Sequence, residues 1–195
     1  MINWLKSKYW KILNSINFKL NNVKCDKNFG VNGLIVISHT KLRKNEKNNI
    51  LIGKGVFVNA GWHYNKIGKG ERTILRTIGD GVIQIGDNVA MSNVSICSMS
   101  KIIIDDNVML GGGVVIYDTD FHSLNPMIRR AHPFDDICCK RIHIKRNAFI
   151  GAGVYILKGV TIGENSVIGA GSVVACNVPD NEIWGGNPAR FIREI

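Results

Sequence analysis

Residues 118–122 read Asp-Thr-Asp-Phe-His, two carboxylates and an imidazole spaced two residues apart. In an extended chain alternate side chains share a face, so Asp118, Asp120 and His122 would point one way and Thr119 and Phe121 the other. A carboxylate beside a histidine fixes its tautomer and raises its basicity, which suits a base that deprotonates a hydroxyl near neutral pH. Ser123, which follows directly, or Cys138 and Cys139 further along could in principle act as an acyl nucleophile beside His122. A third chemistry would gather His122, His132 and His143 on a metal ion. Their spacing lacks the close pair such sites use, and no metal is expected.

The segments that must hold these residues follow a six-residue period. Frames opening at Ile52, Ile85, Met91, Ile104, Leu110, Ile144, Ile150, Ile156, Ile162, Ile168 and Val174 all begin with a large aliphatic residue. Four places later the residue is small or β-branched, from Val56 through Ser95 to Val178, so both positions should face inward. The fourth position is Gly or Asn, from Gly55 to Asn177, with Val94 the one departure. Glycine and asparagine tolerate positive φ, so each frame reads as a short strand, a left-handed corner and another short strand. Repeated, that unit coils around an aliphatic interior as a triangular prism with parallel ladders. The frames run cleanly to Ile116 and resume at Ile144. Residues 118–141 therefore form an excursion far longer than ordinary connections, and loops of that length usually carry function.

Length and composition agree with one soluble domain: 195 residues, 45% hydrophobic. No apolar run reaches the roughly 20 residues of a membrane span and no cleavable leader is evident, so a cytoplasmic protein is expected. The five cysteines are odd in number and lack CxxC spacing, which points to free thiols. The net charge of +10 is concentrated at one end, where residues 1–54 hold 11 Lys/Arg against Asp26 and Glu46. A charge confined to one end does not suit tracking of a phosphate backbone, and no nucleic-acid partner is expected. At that end Ile2, Leu5, Tyr9, Ile12, Ile16 and Leu20 recur at helical spacing, with Lys6, Lys8, Lys11 and Lys19 largely off the stripe. Such a helix could dock on the protein's own body or a sister subunit, or lie at a lipid headgroup boundary with Trp4 and Trp10.

The motifs IGDNVAM, IDDNVMLGGGV, IKRNAFIGAGVYILKGVTIGENSVIGAGSVV and IWGGNPARFIRE resemble the hexapeptide-repeat acyltransferases, and most closely their sugar and capsular-polysaccharide O-acetyltransferases, over about residues 50–195. The resemblance implies an all-β solenoid, a left-handed parallel β-helix, although the general rule for parallel crossovers favours the right hand. It also implies a homotrimer with sites between adjacent prisms. On this reading residues 1–49 are a basic helix and lead-in, 50–179 the β-helix with its excursion, and 180–195 a tail with a short helix.

The implied reaction moves acetyl from acetyl-CoA to a sugar or glycan hydroxyl by direct attack, with His122 as base. Asn93 would sit near the acceptor hydroxyl and thioester carbonyl, and Asp120 would orient His122, contact the substrate or cap a turn. Gly151, Ala152, Gly169 and Ala170 would let the pantetheine arm approach, with Lys158, Arg190 and Arg193 as phosphate cations and Trp184 near the cofactor or closing the last coil. Ala175-Cys176 stands where many relatives carry Thr-Lys, so one expected cation is missing. N-acetylation of a nucleotide-linked amino sugar, or a non-catalytic scaffold, are the alternatives. Acceptor choice would fall to the excursion and to segment 59–77.

Overall fold

The computed structural model describes residues 2–61, 64, 72–132 and 135–195, with side chains from residue 6 onward. The side chains of Ile2, Trp4 and Leu5 and much of segment 59–77 thus lie outside the described residues. A helix, α1 (Ile2–Leu20), leads into six coils of three strands. The first is β1 (Val23–Cys25), β2 (Gly30–Gly33) and β3 (Val36–Thr40), and the second β4 (Asn49–Ile52), β5 (Phe57–Ala60) and β6 (Ile74–Ile78). The third comprises β7 (Val82–Ile85), β8 (Ala90–Ser92) and β9 (Ser95–Ser98), and the fourth β10 (Lys101–Ile104), β11 (Met109–Leu110) and β12 (Val115–Tyr117). After the excursion, which contains α2 (Pro126–Ala131), come β13 (Ile142–Ile144), β14 (Phe149–Ile150) and β15 (Tyr155–Ile156). The sixth coil is β16 (Thr161–Ile162), β17 (Val167–Ile168) and β18 (Val173–Val174), followed by β19 (Glu182–Gly186) and β20 (Ala189–Glu194).

Corresponding strands stack in parallel into three faces: A (β1, β4, β7, β10, β13, β16), B (β2, β5, β8, β11, β14, β17, then β19 and β20) and C (β3, β6, β9, β12, β15, β18). The result is the left-handed β-helix. Its interior is the aliphatic column that the period predicts, with Ile83, Ile102, Ile116, Ile144, Ile156 and Val174 all fully buried. Each fully buried isoleucine contributes roughly 1.5–3 kcal/mol. Nine of the expected corners, Gly55, Asn88, Asn107, Gly113, Asn147, Gly153, Gly159, Asn165 and Gly171, have positive φ.

Four expectations change. The prism begins at Val23 rather than near residue 50, because β1, β2 and β3 pair with β4, β5 and β6 as a full coil. In the Met91 frame Asn93 takes the left-handed corner (φ 49°) and Val94 the inward place, leaving Ser95 half-exposed: this corner is one residue short. Asn177 is not a left-handed corner; Asn181 is (φ 62°). The C-terminal segment is no helix but an antiparallel hairpin in which β19 continues the B face and β20 folds back on it.

The apolar stripe of α1 faces outward, and the side toward the prism is centred on Asn14 and Phe18, both buried. The first coil has no coil beneath it, so its backbone needs other partners. Asn14 supplies them by donating to Gly33 O (2.9 Å) and accepting from Ile35 N (3.0 Å), while Asn17 donates to Ile35 O (2.9 Å). Phe18 packs on Phe29, ring centroids 5.5 Å apart.

Candidate functional site

The three edges of the prism differ in chemistry although one repeat winds them all. At the edge between faces A and B the corner is Gly55 in the second coil and asparagine in the coils after it. Asn88, Asn107, Asn147, Asn165 and Asn181 pass amide hydrogen bonds from coil to coil at 2.8–3.3 Å. That ladder uses the side chains on one another and closes the edge.

At the edge between B and C the corners are Asn93 and then Gly113, Gly153 and Gly171, with φ of 73°, 69° and 71° for the glycines. A Cβ added to any of these three glycines would meet nothing within 4 Å, so this edge is bare backbone facing open space. Gly151 has another reason to be glycine, since a Cβ there would lie 2.6 Å from Ala170 N in the next coil. At Gly169 an added Cβ would meet only ordinary contacts, 3.5 Å from Trp184 O. Ala152 and Ala170 stand beside the bare glycines on the same edge. A long narrow ligand arm fits such an edge because nothing projects from it.

The edge between C and A carries the excursion, and its two feet are zipped together. Asp120 N donates to Cys138 O (3.1 Å), Lys140 N donates to Asp118 O (2.9 Å), and Thr119 bridges Cys139 in antiparallel fashion. The shared face expected for Asp118, Asp120 and His122 does not form, because Phe121 adopts φ 61° and turns the chain. Asp118 is fully buried and accepts from Ser98 Oγ (2.7 Å), Met99 N (2.7 Å) and Ser100 N (3.0 Å). Burial pushes its carboxyl above the usual range despite those donors. Asp120 is half-buried and turns to Lys158, Oδ1 to Nζ 2.7 Å. This hydrogen bond raises the lysine above its ordinary value. His122 is exposed and makes no hydrogen bond to a described residue.

Among the described residues three buried side-chain atoms lack a hydrogen-bond partner: Asn93 Nδ2, Asp120 Oδ2 and His39 Nε2. Buried polar atoms are usually paired, so each calls for an explanation. Asn93 spends its other end on Gly61, whose N–H donates to Oδ1 at 2.9 Å. The corner thus orients the amide and leaves its N–H₂ unused. Two of the three orphans fall on residues that the sequence singles out.

These candidates do not meet within one chain. Asn93 precedes β9 and His122 follows β12, and the register Ser95↔Val115, Cys97↔Tyr117 puts them at opposite ends of the C-face strands. Gly151, Ala152, Gly169 and Ala170 belong to the Asn93 edge, Lys158 to the His122 edge. Arg190 and Arg193 lie on β20, where their guanidinium groups donate to the carbonyls of Ala189 and Glu194. Trp184 is half-buried against the core and donates to Glu182 Oε2 (2.6 Å), closing the last coil.

Several alternatives find other employment. Ser123 is buried and donates to Asp136 Oδ2 (3.0 Å), and burial raises the Cys139 thiol. His143 pairs with Asp105 (2.9 Å) on the A face while His132 caps α2, and among the described residues no three potential ligands cluster. All five cysteines are free. One feature has no signature in the sequence: a groove of about 360 Å³ on the C face, lined by Ile74, Arg76, Cys97, Tyr117 and Phe121. Apart from Phe121 of the excursion, these residues sit at outward strand positions, which the repeat leaves unconstrained.

Residues 141–176 match the model of the bacterial transferase hexapeptide family, described as six repeats. The galactoside O-acetyltransferase of Lactococcus lactis subsp. lactis (strain IL1403) is 39% identical over 103 residues, 53% of this chain and 48% of that protein. The chain spans about half the length of the curated relatives it matches. A hexapeptide-repeat acetyltransferase of Vibrio cholerae O1 biovar eltor, solved with acetyl-CoA, superposes with a TM-score of 0.53 at 39% identity over 57% of this chain and 60% of that one. AntD, an N-acyltransferase from Bacillus cereus solved with dTDP and coenzyme A, shares the fold over 92% of this chain and 88% of its own, at 20% identity and a TM-score of 0.64.

Proposed function

Because the chain belongs to the bacterial transferase hexapeptide family, we propose that it moves an acetyl group from acetyl-CoA to a hydroxyl of a sugar or surface-glycan precursor, with His122 as general base. The observation that carries this reading is the division of labour across the C face. One edge offers bare backbone and an amide N–H₂ on Asn93, the other the His122 imidazole, neither with a hydrogen-bond partner among the described residues.

In the proposed reaction the His122 imidazole takes the proton of the acceptor hydroxyl as its oxygen bonds to the thioester carbonyl carbon. The carbonyl oxygen gains negative charge, which the Asn93 N–H₂ or a backbone amide stabilises. Collapse breaks the carbon–sulfur bond, and the leaving thiolate recovers the proton from the imidazolium. Since Asn93 and His122 stand at opposite ends of the C face, the site assembles between copies. In a closed trimer each chain offers its excursion edge to the glycine edge of the next. Ala152 and Ala170 would flank the pantetheine arm, with Arg190 and Arg193 available to the phosphates. The tie between Asp120 and Lys158 recasts both as residues that fix the root of the excursion. The reaction would run in the cytoplasm.

The test mixes purified chain, acetyl-CoA and a panel of sugars and follows release of free thiol. His122→Ala should lower turnover by about 10²–10⁴-fold. Turnover that survives this change would remove the mechanism. Acceptors bearing only hydroxyls should be acetylated as alkali-labile esters, and reaction confined to amines would convert the proposal to N-acetylation.

A further inference from the structure

On α1 the residues Tyr9, Ile12, Ile16 and Leu20 are 56%, 52%, 53% and 80% exposed. They fall within one side of the helix at three- and four-residue steps. The opposite side, with Trp10, Asn14 and Phe18, is already committed to the prism and holds α1 in place through the Asn14 and Asn17 hydrogen bonds. Internal packing therefore does not account for the apolar stripe, and no rearrangement is needed to present it.

The charge around the stripe selects its occupant. α1 contains no acidic residue, and Lys6 and Lys19 flank the stripe on its two sides. Leu20 shares a shallow recess with Lys41, Lys47 and Glu46. The Glu46 carboxylate accepts from the backbone amides of Leu42 and Arg43 at 2.6 and 3.0 Å, and the two lysines outnumber it, so the rim of the recess is net positive. A second copy of this helix would bring like charges together, since residues 1–54 carry 11 cations and two acids. An anionic surface complements both features at once: acyl chains receive the apolar side chains and headgroups meet the lysines. Among the described residues no helix is long and apolar enough to cross a membrane, so α1 lies on the surface.

We propose that the outward face of α1 is a membrane-binding surface for anionic lipid, seated at the first coil of the prism. This goes beyond the transferase reading and does not depend on it. The full chain is floated with vesicles of phosphatidylcholine alone and of phosphatidylcholine mixed with phosphatidylglycerol. Binding should favour the anionic vesicles at least tenfold at low salt and weaken as salt rises. The double substitution Ile12→Asp with Ile16→Asp should cut binding about tenfold or more, as should Lys6→Glu with Lys19→Glu, while circular dichroism melting stays near wild type, because these four side chains lie outside the core. Retention of the full chain in the buffer, equal binding to both vesicles, or unchanged binding of the isoleucine variant would each overturn the proposal. So would an oligomer that the isoleucine variant dissolves while the wild-type chain ignores both vesicles, since the stripe would then belong to a second copy.

Discussion

The glycine edge and the excursion edge bound the same face of the prism, and they are opposite solutions to turning a chain. At the glycine edge the corner is stripped to backbone, and an added Cβ at Gly113, Gly153 or Gly171 touches nothing. At the excursion edge the corner is crowded: Asp118 is tied to Lys140, Thr119 to Cys139, and Asp120 to both Cys138 and Lys158. The asparagine edge is a control, since it uses the same φ near +60° but spends its amides on its own ladder. Conformation alone therefore does not distinguish the edges. What each corner residue does with its side chain decides whether an edge is closed, open or a platform.

The sharpest way to break the comparison is to inactivate one edge at a time. Asn93→Gly keeps a residue that accepts φ 49° while deleting the amide, and should lower turnover by about 10²–10³-fold. His122→Ala acts on the other edge. If the edges of different chains form each site, unfolding and refolding the two inactive variants together should restore about a quarter of wild-type activity, since random assembly pairs an intact His122 edge with an intact Asn93 edge at that frequency. Mixtures no more active than their parents would place both functions in one chain and contradict the composite site.

Legibility in the sequence follows constraint. The inward positions are readable because every coil needs an aliphatic residue there, and Ile83, Ile102 and Ile144 obey. The excursion is readable as an interruption. Its interior is not: alternation predicts a common face for Asp118, Asp120 and His122, and a single positive φ at Phe121 separates them. The six-residue count puts Val94 at the corner of the Met91 frame, whereas the coil is one residue short and Asn93 itself turns it. The period locates α1 and its stripe, but it cannot say which side of the helix is inside. Burial of Asn14 decides that, because end-coil carbonyls and amides need polar partners more than the prism needs further apolar cover. The tail escapes a helical reading for a related reason. Its alternation is weak, and pairing with β17 overrides local preference.

Lys158 tests the crowded edge with a smaller effect. Lys158→Met removes the partner of a half-buried carboxylate and frees the excursion root, and should lower kcat about tenfold while leaving the KM for acetyl-CoA within about threefold. A rise in KM with kcat preserved would instead return the lysine to the phosphates. The pair also predicts a pH sign. Because the folded lysine titrates above its ordinary value, its stabilising contribution is intact below that value and fades only as pH climbs through the raised one. Activity loss from this source should appear on the far alkaline side and be missing from the Met variant.

Asp118 should show the least effect on chemistry and a clear one on folding. It sits two residues from Asp120, yet its oxygens are spent on Ser98, Met99 and Ser100 across the corner from the third coil. Asp118→Ala strands three donors in a buried position, a loss of about 2–4 kcal/mol that a thermal melt would report as a lowered Tm. Turnover per folded molecule should stay within about twofold, because the carboxylate faces the corner rather than the imidazole. The charge works in the opposite direction. A carboxyl whose folded pKa is raised contributes stability below its unfolded value and loses it as pH rises through the folded one, so at neutral pH the hydrogen bonds act against a desolvation cost. Asp118→Asn removes that charge but turns an N–H₂ toward amide donors, and should fall between wild type and alanine. A variant that melts normally but fails to turn over would move Asp118 from the scaffold to the site and erase the distinction between the two aspartates.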